Sequence, residues 1–219
     1  MSEAGRVISG SARGTRLLAP AAVTRPLADR VKQTLFAILE PDLVGARVLD
    51  LFAGSGAGGI EALSRGAARA IFVERDAPAA RVIGENLART HLSERGHVVR
   101  ADALAYLAGR AVADGPFSLV LVDPPYAEPQ LLESALVRLG AAQDPGSAPL
   151  LAEAAWVVAK HFWRTPPPAS VGLLASARTR RFGETTLTFY RRAGPRVRDV
   201  KRLAAATADE PAAQSEEAR

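Results

Sequence analysis

The chain has 219 residues, 48% of them hydrophobic, which suffices for one well-buried core and is short for two, so a single domain is expected. There is no cysteine, and the three histidines (His91, His97, His161) show no metal-ligand spacing. Disulfides, thiolate nucleophiles and Cys-ligated centres are thereby excluded, and no metal is expected. Residues 1–16 lack an apolar signal region and no stretch approaches the ~18 apolar residues of a membrane span, so the expectation is a soluble, cytoplasmic protein without a membrane partner. The net charge of +5 is unevenly spread: residues 1–32 hold six basic and two acidic residues, residues 176–192 five and one, and residues 195–219 five of each. Basic flanks around a neutral middle suit a polyanion-binding rim, although a merely solubilising surface gives the same count.

In chain order, residues 5–18 alternate and are punctuated by glycine, which predicts a small β-hairpin. Asp29 is placed to N-cap a helix running to about Leu39. From Gly45 short apolar runs alternate with amphipathic ones. Strands are predicted at 46–52, 69–74, 97–101, 117–122 and near 155–160, with helices beginning at 60–65 and at 78–91, 104–110 and 130–139. This is the βαβ rhythm of a mostly parallel sheet covered on both faces. Two last segments, 171–177 and 185–191, flank Arg-Phe-Gly-Glu and predict an antiparallel hairpin closing the sheet, and Pro166-Pro167-Pro168 marks a surface connection. Residues 194–219 lose apolar periodicity and are expected to form a disordered tail. The division expected is an N-terminal hairpin and helix (1–44), an α/β core (45–193) and the tail.

Residues 50–59, Asp-Leu-Phe-Ala-Gly-Ser-Gly-Ala-Gly-Gly, join the first core strand to its helix. Gly54 and Gly56 there allow a ligand close to the backbone, yet the match of Gly54, Gly56 and Gly59 to a dinucleotide fingerprint is weak by itself. Asp50 separates the readings, because a carboxylate at that strand end repels a pyrophosphate and suits the ammonium of a methionine moiety. Glu74 ends the next strand, placed for two ribose hydroxyls, and Asp102 ends the third, beside Ala103, placed for an adenine. Each acid alone could be a helix cap or a solvated strand end. Three in succession at the carboxyl edge of a parallel sheet point to S-adenosylmethionine.

Asp123-Pro124-Pro125-Tyr126 follows the fourth strand, on the same edge. An exocyclic base amine is a poor nucleophile because its lone pair is delocalised into the ring. Hydrogen bonds to the Asp123 carboxylate and the Pro124 carbonyl would favour a pyramidal nitrogen aimed at a sulfonium methyl, two prolines would stiffen that geometry, and Tyr126 would stack on the base. The bland alternative is a Pro-Pro turn ending a strand.

With these motifs in place the chain resembles the bacterial small-subunit ribosomal RNA guanine-N2 methyltransferase D family, which modifies guanine 966 of 16S ribosomal RNA. Four blocks carry the resemblance: residues 24–32 (Thr-Arg-Pro-Leu-Ala-Asp-Arg-Val-Lys), 49–67, 123–126 and 181–185. It implies a Rossmann-like class I methyltransferase, S-adenosylmethionine as cofactor, and 16S ribosomal RNA or a small-subunit assembly particle as partner of a monomeric enzyme. It further implies that Arg25 and Arg30 lie near cofactor or phosphate, and that the N-terminal hairpin, with Arg6 and Arg13, grips RNA together with Arg181. Gly58 stands where the resemblance leads one to expect a bulky aliphatic residue, and Lys160 where an acidic residue more often precedes the histidine. Three other readings stay open at this point: a DNA adenine-N6 or cytosine-N4 methyltransferase, an NAD-dependent oxidoreductase, and a non-catalytic RNA-binding module of the same fold.

Overall fold

The computed structural model describes residues 3–20, 28–141 and 148–192. Arg25 and the tail expected over residues 194–219 lie outside the described residues. The N-terminal part comprises β1 (Glu3–Arg6), β2 (Arg16–Leu18) and helix α1 (Asp29–Leu39). The core continues with β3 (Arg47–Leu51), α2 (Ala57–Ser64), β4 (Arg69–Glu74), α3 (Ala77–Arg89), β5 (Gly96–Arg100), α4 (Ala103–Ala108), α5 (Ala111–Asp114) and β6 (Phe117–Val122). It ends with α6 (Pro129–Gly140), β7 (Leu151–Phe162), β8 (Ser170–Val171), β9 (Leu174–Phe182) and β10 (Thr185–Arg192).

One sheet has the order β5-β4-β3-β6-β7-β10-β9-β8, its first five strands parallel and the rest antiparallel. The chain runs outward from β3 to β5 and then returns to place β6 on the other side of β3. The point of reversal lies between β3 and β6, where open α/β sheets form their ligand crevice.

Period-two alternation builds a core on each face. Val48, Phe72, Leu119, Leu121 and Val158 face α1, α2 and α3, while Leu49, Leu51, Ile71, Val73, Val120 and Val122 face α4, α5 and α6. These strands are buried on both sides, which is why they read as unbroken apolar runs. Asp76 caps α3 by accepting the Ala79 N–H at 2.9 Å, and Pro78 sits in the first turn where no N–H is needed.

Several expected boundaries shift. Helix α2 begins at Ala57, three residues early, because Gly56 at its start takes a left-handed φ of 76°. The helix expected at 104–110 is α4, which ends at Ala108, and an unexpected short helix, α5, follows it. The β9–β10 turn is tighter than expected: Phe182 still pairs with Thr185, leaving only Gly183-Glu184 to turn. Strand β7 extends past both expected ends, since Leu151 pairs with Phe117 and Phe162 with Thr185.

Asp29 is not an N-cap. Ala28 holds that position without a side-chain cap, and Asp29, already helical, takes the Arg6 Nε at 3.1 Å and faces the Lys32 Nζ at 3.5 Å. The ion pairs join α1 to β1, and buried Lys32 also donates to the Arg6 carbonyl.

Polar side chains of the core fasten the hairpin. The Glu61 carboxylate accepts the Ile8 N–H at 2.7 Å and the Ser9 N–H at 3.1 Å, Ser64 Oγ accepts the Ala12 N–H at 3.0 Å, and Asn86 exchanges hydrogen bonds with both backbone groups of Leu18. Gly10 crosses Ser64 so closely that a Cβ would stand 1.9 Å from the Ser64 carbonyl oxygen.

Candidate active site

A cavity of about 630 Å³ opens at the carboxyl edge, at the reversal between β3 and β6. Its wall contains Asp50, Gly54, Glu74, Asp102, Ala103, Asp123, Pro124 and Tyr126, together with Pro20, Leu35, Lys160, Glu184 and Thr185. Eight residues singled out in the sequence thus share one space with a segment following β2, a helix-α1 side chain, β7 and the β9–β10 turn. Gly56 misses the wall: it sits beneath the loop, where a Cβ would meet Ile83 at 3.0 Å. Its part is to shape the turn that carries Gly54.

The three acids differ in condition. Asp50 is buried and accepts the Gly59 N–H at 2.8 Å. Burial pushes its carboxyl up to about 7, the Gly59 hydrogen bond opposing and the charges of Asp123 and Glu74 reinforcing the rise. Glu74 accepts Gly54 N–H at 2.8 Å on one oxygen and Asp76 N–H at 2.9 Å on the other, which locks the glycine loop to β4. Asp102 caps α4, its Oδ1 accepting the Leu104 and Ala105 N–H groups at 2.9 Å each. The bland reading of Asp102 as a helix cap is therefore correct for that oxygen, while the side chain still lines the cavity. Beside it, Ala103 is buried at the start of α4.

Asp123 continues the β6 ladder through its N–H to the Leu51 carbonyl at 3.4 Å. Its two carboxylate oxygens each lie 2.8 Å from Lys160 Nζ. Desolvation raises the Asp123 carboxyl above its usual range and the Lys160 ammonium opposes that rise. Tyr126 is 42% exposed; its hydroxyl bonds Thr185 Oγ1 at 2.9 Å, its ring is tilted against Phe162, and Lys160 Nζ stands 5.3 Å from its centroid. A second cavity of about 480 Å³, lined by Pro124, Pro125, Tyr126, Lys160 and Phe162, opens beside the first.

Comparison with known proteins places the chain. The family model described as "Conserved hypothetical protein 95" matches residues 5–191. The chain belongs to this family. It is 40% identical over 190 residues to the Bacillus subtilis protein named "Putative rRNA methyltransferase YlbH", covering 86% of this chain and all of that one. It is 42% identical over 130 residues to "Ribosomal RNA small subunit methyltransferase D" of Escherichia coli, a match covering 59% of this chain and 64% of that one. Among solved structures, "Putative methyltransferase yhhF from Escherichia coli" superposes with a TM-score of 0.76 at 33% identity, covering 89% of this chain and all of the other. The fold is the Rossmann-like methyltransferase fold, with the small N-terminal hairpin and antiparallel terminal strands expected of it.

Two expectations drawn from the resemblance look different in this member of the Conserved hypothetical protein 95 family. Gly58 has no room for a bulky side chain, because a Cβ there would stand 2.7 Å from Leu121 Cδ1 and 3.3 Å from Asp50 Oδ2. Lys160, where an acid was expected, is the ion-pair partner of Asp123. Lys160 carried no role in the sequence; its place at the end of the strand expected near 155–160, on the edge that carries the other site residues, was the available signal. His161, next along β7, is absent from the wall of the first cavity, lines the second, and is held by Thr188 Oγ1 at 2.9 Å.

The arginines do not converge. Arg6 pairs with Asp29, while Arg13 and Arg30 are exposed and line neither cavity. Arg181 lies on the exposed side of β9 with its guanidinium 3.9 Å from the centre of the Trp163 ring, and Arg164 stands 4.9 Å from the same ring. No group of three or more acidic or histidine side chains among the described residues is arranged to hold a metal, and no helix among them is long and apolar enough to cross a membrane.

Proposed function

We propose that the protein transfers a methyl group from S-adenosylmethionine to the exocyclic N2 of a guanine in small-subunit ribosomal RNA, either free or within an assembly particle. The observation that carries the reading is the sharing of one cavity by Asp50, Glu74, Asp102 and the Asp123–Tyr126 tetrapeptide at the reversal of the sheet. The residues present fit the cofactor. Gly54 leaves open space where a Cβ would stand, the cavity volume lies in the range of roughly 300–1,000 Å³ usual for such ligands, and carboxylates (Asp50, Glu74, Asp76, Asp102, Asp123 and Glu184) outnumber the cations Arg75 and Lys160 on the wall. Asp50 would face the ammonium, Glu74 the ribose hydroxyls, and Asp102 with the Ala103 N–H the adenine.

When bound, the cofactor supplies a methyl on a sulfonium, whose carbon–sulfur bond breaks as the nitrogen–carbon bond forms, leaving a neutral thioether. The chain's own residues prepare the amine. The Asp123 carboxylate and the Pro124 carbonyl accept its N–H groups and hold the nitrogen in line, which supplies rate through orientation rather than strong-base chemistry. After transfer the nitrogen is acidic and its proton passes to Asp123 or water. Tyr126, braced by Thr185 and Phe162, offers a fixed ring for the base to stack on. The N-terminal hairpin with Arg6 and Arg13, Arg30 of α1, Arg25, and the Arg164–Trp163–Arg181 shelf would grip the phosphate backbone.

A mass-spectrometric or primer-extension map of small-subunit RNA tests this. A strain lacking the protein loses one N2-methylguanine, the intact gene restores it, and Asp123→Ala does not. An unchanged guanine-N2 pattern in the deletion strain sinks the substrate assignment; restoration by Asp123→Ala would instead favour a non-catalytic RNA-binding role.

A further inference from the structure

The Lys160–Asp123 pair has a consequence for how the base is read. Both Asp123 oxygens are taken by one ammonium at 2.8 Å, and the Lys160 side chain is 14% exposed, on the wall between the two cavities. Each Asp123 oxygen keeps a second lone pair, so an entering amine shares an oxygen with Nζ and stands beside it. The ammonium has three N–H donors and no acceptor, so an N–H not engaged by Asp123 turns to whatever lies next to the amine. The Tyr126 ring, 5.3 Å from Nζ, limits how far it moves.

On guanine the two neighbours of the N2 amine are opposite in kind. N3 carries a lone pair, whereas N1 carries a hydrogen. A cationic donor beside Asp123 matches N3 and repels the N1–H side. We propose that Lys160 fixes the orientation of the target guanine by donating a hydrogen bond to N3, while retaining one oxygen of Asp123. The inference rests on the guanine-N2 reading above. It assigns substrate contact to a residue opposite in charge to the acid that the resemblance leads one to expect there, so the contact is one that a carboxylate, which repels the N3 lone pair, could not make.

The test uses the full chain and small-subunit particles from the deletion strain, rebuilt by splint ligation with guanosine or 3-deazaguanosine at the methylated position. 3-Deazaguanosine keeps the amine and replaces N3 by C–H. For the wild-type protein the analogue lowers kcat/KM about tenfold or more, the size of a lost hydrogen bond to a charged donor. In Lys160→Met the analogue and guanosine react at closely similar, lowered rates, and Lys160→Arg restores discrimination. Cofactor affinity by calorimetry, unchanged in both variants, shows that the fold is intact. A wild-type protein indifferent to the analogue, or an analogue penalty of equal size in Lys160→Met, overturns the inference. Failure of the wild-type protein to methylate the guanosine particle would overturn the function itself, a separate result. Should Lys160→Met not fold, a wild-type protein indifferent to the analogue still overturns the inference, and Lys160→Leu takes the place of Lys160→Met.

Discussion

Glu61 and Ile8 lie 53 positions apart in the chain and meet at 2.7 Å, where the buried carboxylate receives the Ile8 N–H. The same carboxylate takes Ser9 N–H and the Arg65 Nε, so it satisfies three donors in a site closed to water. Glu61→Ala strands all three, and such losses cost about 2–4 kcal/mol together. A drop in thermal midpoint and early protease cleavage within residues 7–15 are expected. A midpoint within one degree of the parent would mean the hairpin is held by packing alone.

The ammonium-binding role proposed for Asp50 predicts that cofactor binding depends on pH. Its carboxyl titrates at about 7 in the folded protein because of burial, against about 4 in an unfolded chain. A raised carboxyl contributes stability that is complete below its unfolded value and is lost as pH rises through about 7, so this group alone makes the unliganded protein less stable at pH 8 than at pH 5. Ammonium binding favours the ionised form and runs the other way: affinity for S-adenosylmethionine falls by up to about tenfold per pH unit below 7. Calorimetry between pH 5.5 and 8.5 should show this slope, with proton release, and Asp50→Asn should bind weakly and without it. A flat profile in the parent would remove Asp50 from the ammonium site.

Gly58 predicts an overpacking cost. Ala at this position brings its Cβ to 2.7 Å from Leu121 Cδ1, which must shift, and overpacking of this kind costs about 1–3 kcal/mol. Chemical denaturation measures it, and in a Leu121→Val background, which shortens the opposing side chain, the penalty should shrink. The bulkier Gly58→Leu should also weaken cofactor binding, because Asp50 lies on the far side of the same space.

Arg181 tests the RNA face. Its guanidinium stacks on Trp163 and donates to the Gly183 carbonyl at 2.8 Å, which holds it at a fixed place beside the β9–β10 turn. Arg181→Ala should weaken binding to small-subunit RNA evenly across sequences and reduce the magnitude of the salt slope by about one. Filter binding between about 50 and 200 mM salt reads both. Trp163→Ala should produce part of the same loss by freeing the guanidinium, and an unchanged slope in both variants would place the RNA elsewhere.

The parallel core was legible because its signals are local. Each strand from 46–52 to 117–122 announced itself as a short apolar run, and a residue that ends such a run must lie on the carboxyl edge, so Asp50, Glu74, Asp102 and Asp123 could be grouped before any coordinates. Asp29 misled because a side chain that caps a helix and one that forms an ion pair in its first turn look alike in sequence; only the approach of Arg6 from β1 chose between them. Asp102 joined both readings, capping α4 through Oδ1 as one reading of a strand-end acid had it while the residue lines the cavity.

The order of the core elements and the sheet edge shared by the candidate site residues follow from sequence alone, because both rest on residue type and spacing within a strand and its next turn. The tertiary structure decided that Lys160 faces Asp123, that Glu61, Ser64 and Asn86 hold the hairpin, that Gly58 has no room for a side chain, and that Asp50 is buried deeply enough to titrate at about 7. Those outcomes depend on distances between segments remote in sequence and on how much water reaches a charge, and neither quantity is set until the sheet has closed.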